Sequence, residues 1–140
     1  MGSKLAKRVF DINSMQTMAL FEKVTGARLK DFLPEQGVFI VEAGEMGKAI
    51  GKNASNVKRI EFLLKKKVIL VEYNDDVTLF IKNLVYPAEV TDIKQEGNIV
   101  TIHGKDTKSK GIIIGRDRSR LNQIRDIVKR HFQIEQIKVV

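Results

Sequence analysis

Two stretches of this chain decide its fold, and the second repeats the first in altered form. From Met46 to Ile60 the sequence is Met-Gly-Lys-Ala-Ile-Gly-Lys-Asn-Ala-Ser-Asn-Val-Lys-Arg-Ile. From Lys110 to Ile124 it is Lys-Gly-Ile-Ile-Ile-Gly-Arg-Asp-Arg-Ser-Arg-Leu-Asn-Gln-Ile. The central glycines, Gly51 and Gly115, lie 64 residues apart. An internal repeat indicates two copies of one small structural unit rather than a single 140-residue domain.

Composition narrows the class of protein. No apolar run approaches the roughly 18 residues that span a bilayer, and the N-terminus lacks the apolar core of a secretion signal, so we expect a cytoplasmic protein with no membrane partner. The chain has no cysteine, which excludes disulfides and thiolate metal sites. Its two histidines, His103 and His131, have no acidic cluster beside them, so we expect neither a metal nor a cofactor.

Positive charge is concentrated on the two repeated segments. Residues 43–67 carry seven Lys or Arg against two Glu, and residues 103–131 carry nine Lys or Arg against three Asp. The rest of the chain is net negative, although the whole carries +8. Localised positive charge beside glycine loops indicates a polyanionic partner, and nucleic acid is the polyanion that fits best.

Apolar spacing and turn residues predict the same element order in both halves. In the first half they predict a helix over 15–25, strands over 28–33 and 38–42, helices over 45–50 and 54–66, and a strand over 68–73. In the second half they predict a helix over 77–85, strands over 88–94 and 99–103, two helices flanking Gly115, and a strand over 136–140. This order gives an α+β unit with helices on one face of a three-stranded sheet.

Local signals add a domain boundary and two core residues. The cluster Asn74-Asp75-Asp76 is typical of a helix cap and turn, so we predict domains over residues 1–74 and 75–140. Phe62 and Phe132 are expected in the core; the alternative is that these rings are platforms on which bases stack. The run Lys65–Lys67 is either a solvated helix end or a contact surface.

Each repeated loop places a basic residue, Lys52 or Arg116, directly after its glycine. Glycine lets the chain reverse between two helices and brings the backbone close to a ligand. The exposed N–H groups and the N-terminus of the following helix then bind phosphate oxygens. With an apolar floor beside it, such a loop suits single-stranded nucleic acid.

The segment from Ile50 to Ile60 resembles the GxxG core of the KH-domain family, and the predicted element order resembles that family's type II, prokaryotic form. Residues 71–90 resemble the junction between the tandem KH domains of NusA transcription factors; they read Val-Glu-Tyr-Asn-Asp-Asp-Val-Thr-Leu-Phe-Ile-Lys-Asn-Leu-Val-Tyr-Pro-Ala-Glu-Val. The resemblance runs from about Ser14 onward. Bacterial members carry two further domains, for which this chain has no room, so it is similar to the short archaeal form.

The resemblance implies a non-enzymatic factor that binds single-stranded RNA and modulates transcription elongation, pausing or termination through the nascent transcript. RNA polymerase is the implied protein partner. The RNA-binding residues it implies lie in and beside the two loops: Gly51, Lys52, Asn53, Ala54, Lys48, Lys58, Gly115, Arg116, Asp117, Arg118 and Arg120.

The loops depart from the family pattern at their last position, where the family has a second glycine. Ala54 stands there in the first loop, and we expect it to cost little if its φ is negative. Arg118 stands there in the second loop, and Asp117 puts a negative charge where a phosphate is expected. The first loop therefore fits phosphate binding better than the second.

Other functions are weighed against this one. The run from Gly47 to Asn53 is similar to a P-loop, but its spacing is one residue short and Asn53 replaces the Ser or Thr that holds magnesium, which argues against nucleotide hydrolysis. Duplex DNA binding by a helix–turn–helix stays open. So do a KH-type role in the ribosome or RNA processing, and a protein-interaction module that docks on polymerase.

Overall fold

The chain folds into two compact units that divide between Tyr73 and Asn74. The computed structural model describes residues 12–140, so the start of the first predicted domain, residues 1–11, lies outside the described residues. Each unit has the predicted order of helix, strand, strand, helix, helix, strand and a three-stranded sheet, which confirms the α+β class with two tandem KH-like units.

The elements are short and follow one another closely. Those of the first unit are α1 (Ile12–Thr25), β1 (Leu29–Leu33), β2 (Val38–Val41), α2 (Met46–Ile50), α3 (Ser55–Leu64) and β3 (Ile69–Glu72). Those of the second unit are α4 (Val77–Val85), β4 (Val90–Glu96), β5 (Ile99–Gly104), α5 (Thr107–Ile114), α6 (Ser119–His131) and β6 (Gln136–Val139). A single tight turn follows each loop glycine, over Lys52–Ala54 and over Arg116–Arg118.

Both sheets have the same topology. The first two strands of each unit pair antiparallel and the last strand joins the second in parallel, so β2 and β5 are the central strands. The register of each first strand shifts just before an aspartate, Asp31 or Asp92, whose carboxylate accepts a hydrogen bond from the next backbone N–H. The repeat therefore extends to irregularities of the sheets.

The core of each unit fixes the two helices that flank the loop. In the first unit the Phe39 ring of β2 stacks on the rings of Phe21 and Phe32, with centroids 4.5 Å apart in both pairs. Ala49 of α2 and Ile60 of α3 are fully buried in the same cluster. Ile113 and Ile124 occupy the equivalent places in α5 and α6 and are also buried. The same two anchor positions therefore hold the loop helices in both units.

The expectation that Phe62 and Phe132 lie in the core is wrong for Phe62, whose side chain is 79% exposed. Phe62 follows the buried Ile60 by two residues, which places it about 200° around the helix from the core. Phe132 is half-buried at the end of α6, with its ring 5.8 Å from that of Phe80. Helix phase therefore exposes Phe62, whereas Phe132 lies just past the end of α6 in extended backbone, with φ −138°.

The predicted cap and turn cluster at residues 74–76 begins α4. The Asp76 carboxylate accepts a hydrogen bond from the Thr78 N–H at 2.9 Å, and the Asn74 side chain accepts one from the Asp76 N–H at 2.8 Å. Hydrogen bonds from the Thr78 hydroxyl and N–H lower the pKa of Asp76.

In the described part of the chain, every helix is too short or too polar to cross a membrane.

Candidate nucleic-acid interface

The first loop has an unusual backbone, because three of its four residues have positive φ. The φ angles are 76° at Gly51, 55° at Asn53 and 61° at Ala54. Asn adopts the left-handed region more readily than most residues, but for Ala the conformation costs about 1–2 kcal/mol. The condition under which Ala54 would cost little, a negative φ, is therefore not met.

The second loop has almost the same backbone despite its different side chains. The φ angles of Gly115, Asp117 and Arg118 are 73°, 54° and 62°. Arg118 thus adopts the left-handed conformation that the family's second glycine would adopt freely. The two loops differ in their side chains and share their main-chain shape.

The loop glycines are required by contact as well as by conformation. A Cβ atom on Gly51 would lie 2.8 Å from Asn56 Cγ and 2.9 Å from Asn56 N. On Gly115 it would lie 2.6 Å from Arg120 Cβ and 2.8 Å from Arg120 N. Each glycine lets the loop touch the first turn of the following helix.

Asn56 and Arg120, which lie against the loop glycines, each hold a loop to the fold by a hydrogen bond, but to different helices. Asn56 Nδ2 donates a hydrogen bond of 2.8 Å to the Lys48 carbonyl, which joins α3 to α2. Arg120 stands at the equivalent place, and its Nη2 donates a 2.8 Å bond to the Leu84 carbonyl of α4. Arg120 is half-buried, so part of its guanidinium holds the fold together.

Some backbone N–H groups of the first loop donate hydrogen bonds within the protein, and others do not. Gly51 N donates to Gly47 O, Ala54 N to Gly51 O, and Ser55 N to Lys52 O. The N–H groups of Lys52 and Asn53 make no hydrogen bond to any residue in 12–140. Two adjacent donors at the tip of the turn are therefore available to an external acceptor.

The charges around the first loop are mostly exposed. Lys52, Asn53 and Lys58 are exposed, and the exposed Lys48 ammonium lies 3.5 Å from the carboxylate of Glu45, whose side chain is 17% exposed. A hydrogen bond from the Arg28 N–H, followed by the charge of Lys48, lowers the pKa of Glu45. A surface pair of this kind contributes little to stability, so it leaves Lys48 available to a stronger anion.

In the second loop, Arg116, Asp117 and Arg118 are all exposed. Gly115 N donates to Gly111 O and Arg118 N to Gly115 O, as in the first loop. The N–H groups of Arg116 and Asp117 make no hydrogen bond within the described chain. The donor pattern is thus the same in both loops, but an acidic side chain stands at the second tip.

An exposed apolar surface lies beside each loop. Ile50, directly before Gly51, is 38% exposed, and Ile112 of α5 is 40% exposed. Next to α2 runs β3, an edge strand, whose Glu72 accepts a 2.9 Å hydrogen bond from the Gly44 N–H just before the helix. A loop with free N–H donors, exposed cations and an apolar flank can hold phosphate and base together.

The structure brings the predicted residues together in two groups, one in each unit. Lys48 lies one turn before Gly51, and Lys58 one turn into α3, so both flank the first loop. Among residues 12–140 no three potential metal ligands lie close enough together to hold an ion. Sequence reasoning missed the structural role of Arg120. The repeat carries a signal for this role, because Arg120 aligns with Asn56 and not with a lysine of the first loop. Asn56 is itself a residue that holds its loop to the fold.

Relief of strain at Ala54 gives a first prediction. We expect Ala54→Gly to raise the free energy of unfolding by about 0.5–1 kcal/mol, because glycine removes a left-handed cost of about 1–2 kcal/mol and adds about 0.5–1 kcal/mol of unfolded-state entropy. Urea denaturation measures it. The control is the neighbour Ser55, with an ordinary helical φ of −61°, where Ser55→Gly should destabilise. Equal effects at the two positions would contradict strain at Ala54.

Comparison with known proteins gives a consistent result. The family model for the KH domain matches residues 17–89. A protein of Methanococcus vannielii named probable transcription termination protein NusA is 37% identical over 128 residues, which cover 88% of this chain and 74% of that protein. A protein of the same name from Halococcus morrhuae is 35% identical over 130 residues, which cover 90% of this chain and 94% of its own.

Structural comparison agrees at the level of the fold. The crystal structure of APE1850 matches with a TM-score of 0.71 and covers 94% of this chain and all of that chain. The two sequences are 22% identical, so the match shows a common architecture.

Proposed function

This chain belongs to the archaeal NusA family and contains its KH domain, and on that premise we propose that it binds single-stranded RNA to modulate transcription elongation, pausing or termination. The observation that supports the RNA step is the first loop, where two free N–H donors and exposed cations stand at the tip of a left-handed turn. The relatives carry transcription termination in their name.

In the first loop, the phosphate contacts are made by the N–H groups of Lys52 and Asn53, since those of Gly51 and Ala54 are used within the turn. The ammonium groups of Lys52, Lys48 and Lys58 add charge around the same point. Bases lie on the apolar surface beside Ile50, toward the edge strand β3. Such an arrangement holds a single strand by its backbone and leaves its bases accessible.

In the second loop, RNA is held mainly by the charges of Arg116 and Arg118, and less tightly. Its backbone donors match those of the first loop, but Asp117 repels a phosphate at the tip. Arg120 serves chiefly to position the loop, because it donates to the Leu84 carbonyl. The two KH domains of this proposal span residues 1–74 and 75–140, a boundary one residue beyond the division that follows Tyr73.

The protein acts as a binding factor in the cytoplasm, with RNA polymerase as a partner, rather than as an enzyme. The P-loop alternative loses support because Gly47 lies inside helix α2, where its residues cannot wrap around a nucleotide phosphate chain. The duplex-DNA alternative also loses support, since the glycine turn joins helices that pack on a sheet in a KH unit.

A binding comparison tests this function. At matched salt, single-stranded RNA of about ten nucleotides should bind more tightly than duplex DNA of equal length, measured by fluorescence anisotropy. The logarithm of the affinity should fall linearly with the logarithm of salt concentration, by about 0.7 for each phosphate contact. Tighter binding of the duplex, or RNA affinity that does not change with salt, would contradict the proposal.

A further inference from the structure

The outward side of α3 carries an aromatic ring among cations. We propose that this surface, called here the outer α3 face and formed by Lys58, Arg59, Phe62 and Lys65, is a second RNA-binding surface on which Phe62 stacks on a base. This inference rests on the proposed function, since the base belongs to the same RNA strand that the Gly51 loop holds by its phosphates. The face extends the RNA site beyond the apolar surface beside Ile50.

Helix geometry places these residues side by side. Lys58 and Arg59 precede Phe62 by four and three residues, and Lys65 follows it by three. Residues at these spacings are neighbours on a helix surface. Lys65 ends the helix with a φ of 58°. The ring is therefore bordered by cations on both sides along the helix.

The surface is open and its charges are uncompensated. Phe62 is 79% exposed, although burying a phenylalanine would contribute about 1.5–3 kcal/mol. Lys58, Arg59 and Lys65 are exposed and form no salt bridge with any described residue. An accessible ring among free cations suits a ligand that has both a π face and negative charge, as a nucleotide does.

The second unit shows that the fold does not require this surface. Helix α6 keeps the buried anchor, Ile124 in place of Ile60, and the same sheet topology. At the positions of Lys58, Arg59 and Phe62 it has Asn122, Gln123 and Asp126. The fourth position keeps its charge, since Lys129 stands where Lys65 does, but α6 has no aromatic ring and no cation at the other three, so the ring with its cations is an added feature of the first unit.

Continuity with the loop favours RNA over an acidic protein as the occupant. Helix α3 begins directly after Ala54, and Lys58 lies one turn along it. Phe62 lies one turn further, about 12 Å from Ala54 at 1.5 Å per residue. A strand that leaves the loop tip along α3 meets Lys58 first and the Phe62 ring next.

The test uses the absence of tryptophan from this chain. In Phe62→Trp the new indole is the single tryptophan, and its fluorescence should be quenched when RNA of about twelve nucleotides saturates the protein. A four-nucleotide RNA, the length that a KH loop holds, should leave it unquenched. Quenching by polyglutamate but not by the longer RNA would assign the face to an acidic protein and overturn the proposal.

Affinity gives the second readout. Phe62→Ala should weaken binding of the twelve-nucleotide RNA by about fivefold or more and leave the four-nucleotide RNA unaffected, whereas Phe62→Tyr should retain wild-type affinity. Asp126→Ala, the equivalent change in α6, is the control and should not weaken binding. Unchanged affinity of Phe62→Ala for the long RNA would overturn this inference and leave the proposed function intact. Failure of the wild-type chain to bind either RNA would overturn both.

Discussion

Replacing Lys52 and Asn53 together by aspartate should weaken binding of single-stranded RNA by at least about tenfold. The change removes one cation and places two carboxylates beside the two free N–H groups at the loop tip. A hydrogen bond to a charged group contributes about 1.5–3 kcal/mol, and tenfold in affinity corresponds to about 1.4 kcal/mol. Anisotropy titrations against a labelled oligonucleotide at low and moderate salt measure the loss.

The double substitution should leave the fold intact, and the second loop gives the reason. Asp117 already occupies the position equivalent to Asn53, with φ 54° and ψ 32° against 55° and 33°. Aspartate is therefore compatible with this backbone, and the Lys52 side chain is exposed. Thermal unfolding followed by circular dichroism should be close to that of the wild type.

The matched control is the single change Arg116→Asp, because it gives the second loop the same Gly-Asp-Asp sequence. We expect a smaller loss of affinity, since Asp117 already weakens phosphate binding there. Wild-type affinity in a folded Lys52→Asp/Asn53→Asp protein would show that the first loop is not the phosphate site. A larger loss from Arg116→Asp would reverse the order of the two loops.

Adding one methyl group to either loop glycine should destabilise its unit by about 2–6 kcal/mol. For Gly51→Ala, the backbone at φ 76° and ψ 170° lies in a region that essentially only glycine adopts, which costs about 1–3 kcal/mol, and relief of the overlap with the Asn56 backbone adds about 1–3 kcal/mol. Gly115→Ala meets Arg120 in the same way. Chemical denaturation of each variant measures the free energy of unfolding.

The chain supplies its own controls for these substitutions. Gly47 and Gly111 lie four residues before the loop glycines, inside helices, and a Cβ on either would meet no atom within 4 Å beyond the backbone of its own helix. Gly47→Ala and Gly111→Ala should therefore stabilise the protein by roughly 0.5–1 kcal/mol. If all four substitutions changed the free energy of unfolding in the same direction, the two loop positions would not require glycine.

Much of the fold was predictable because its signals are local. The turn cluster at residues 74–76, the β-branched run of β2 and the apolar spacing of Ile60 and Leu64 each specify an element without reference to distant residues. The family assignment followed from the loop and the segment over 71–90. Repetition strengthened the element order and the glycine loop, since both occur twice, whereas the junction segment occurs once.

The details that escaped prediction depend on tertiary structure. No local signal indicates a positive φ for Ala54, because the anchors Ala49 and Ile60 fix the ends of the loop and override the preference of the residue between them. Arg120 looks like a free cation in the sequence, but its partner, the Leu84 carbonyl, is 36 residues away. Phe62 is as apolar as a core residue, but helix phase turns it away from the core, about 200° from the buried Ile60.

Because the two loops share a left-handed backbone, residues 52–54 and 116–118 should be exchangeable between the units. A backbone held by anchors outside the loop can display different side chains without refolding, as Asn53 and Asp117 already show. Transplanting Lys-Asn-Ala into the second unit, or Arg-Asp-Arg into the first, would exchange chemistry while leaving architecture alone. The chain thus has one loop backbone in two copies, and the side chains of each copy can change without altering the other.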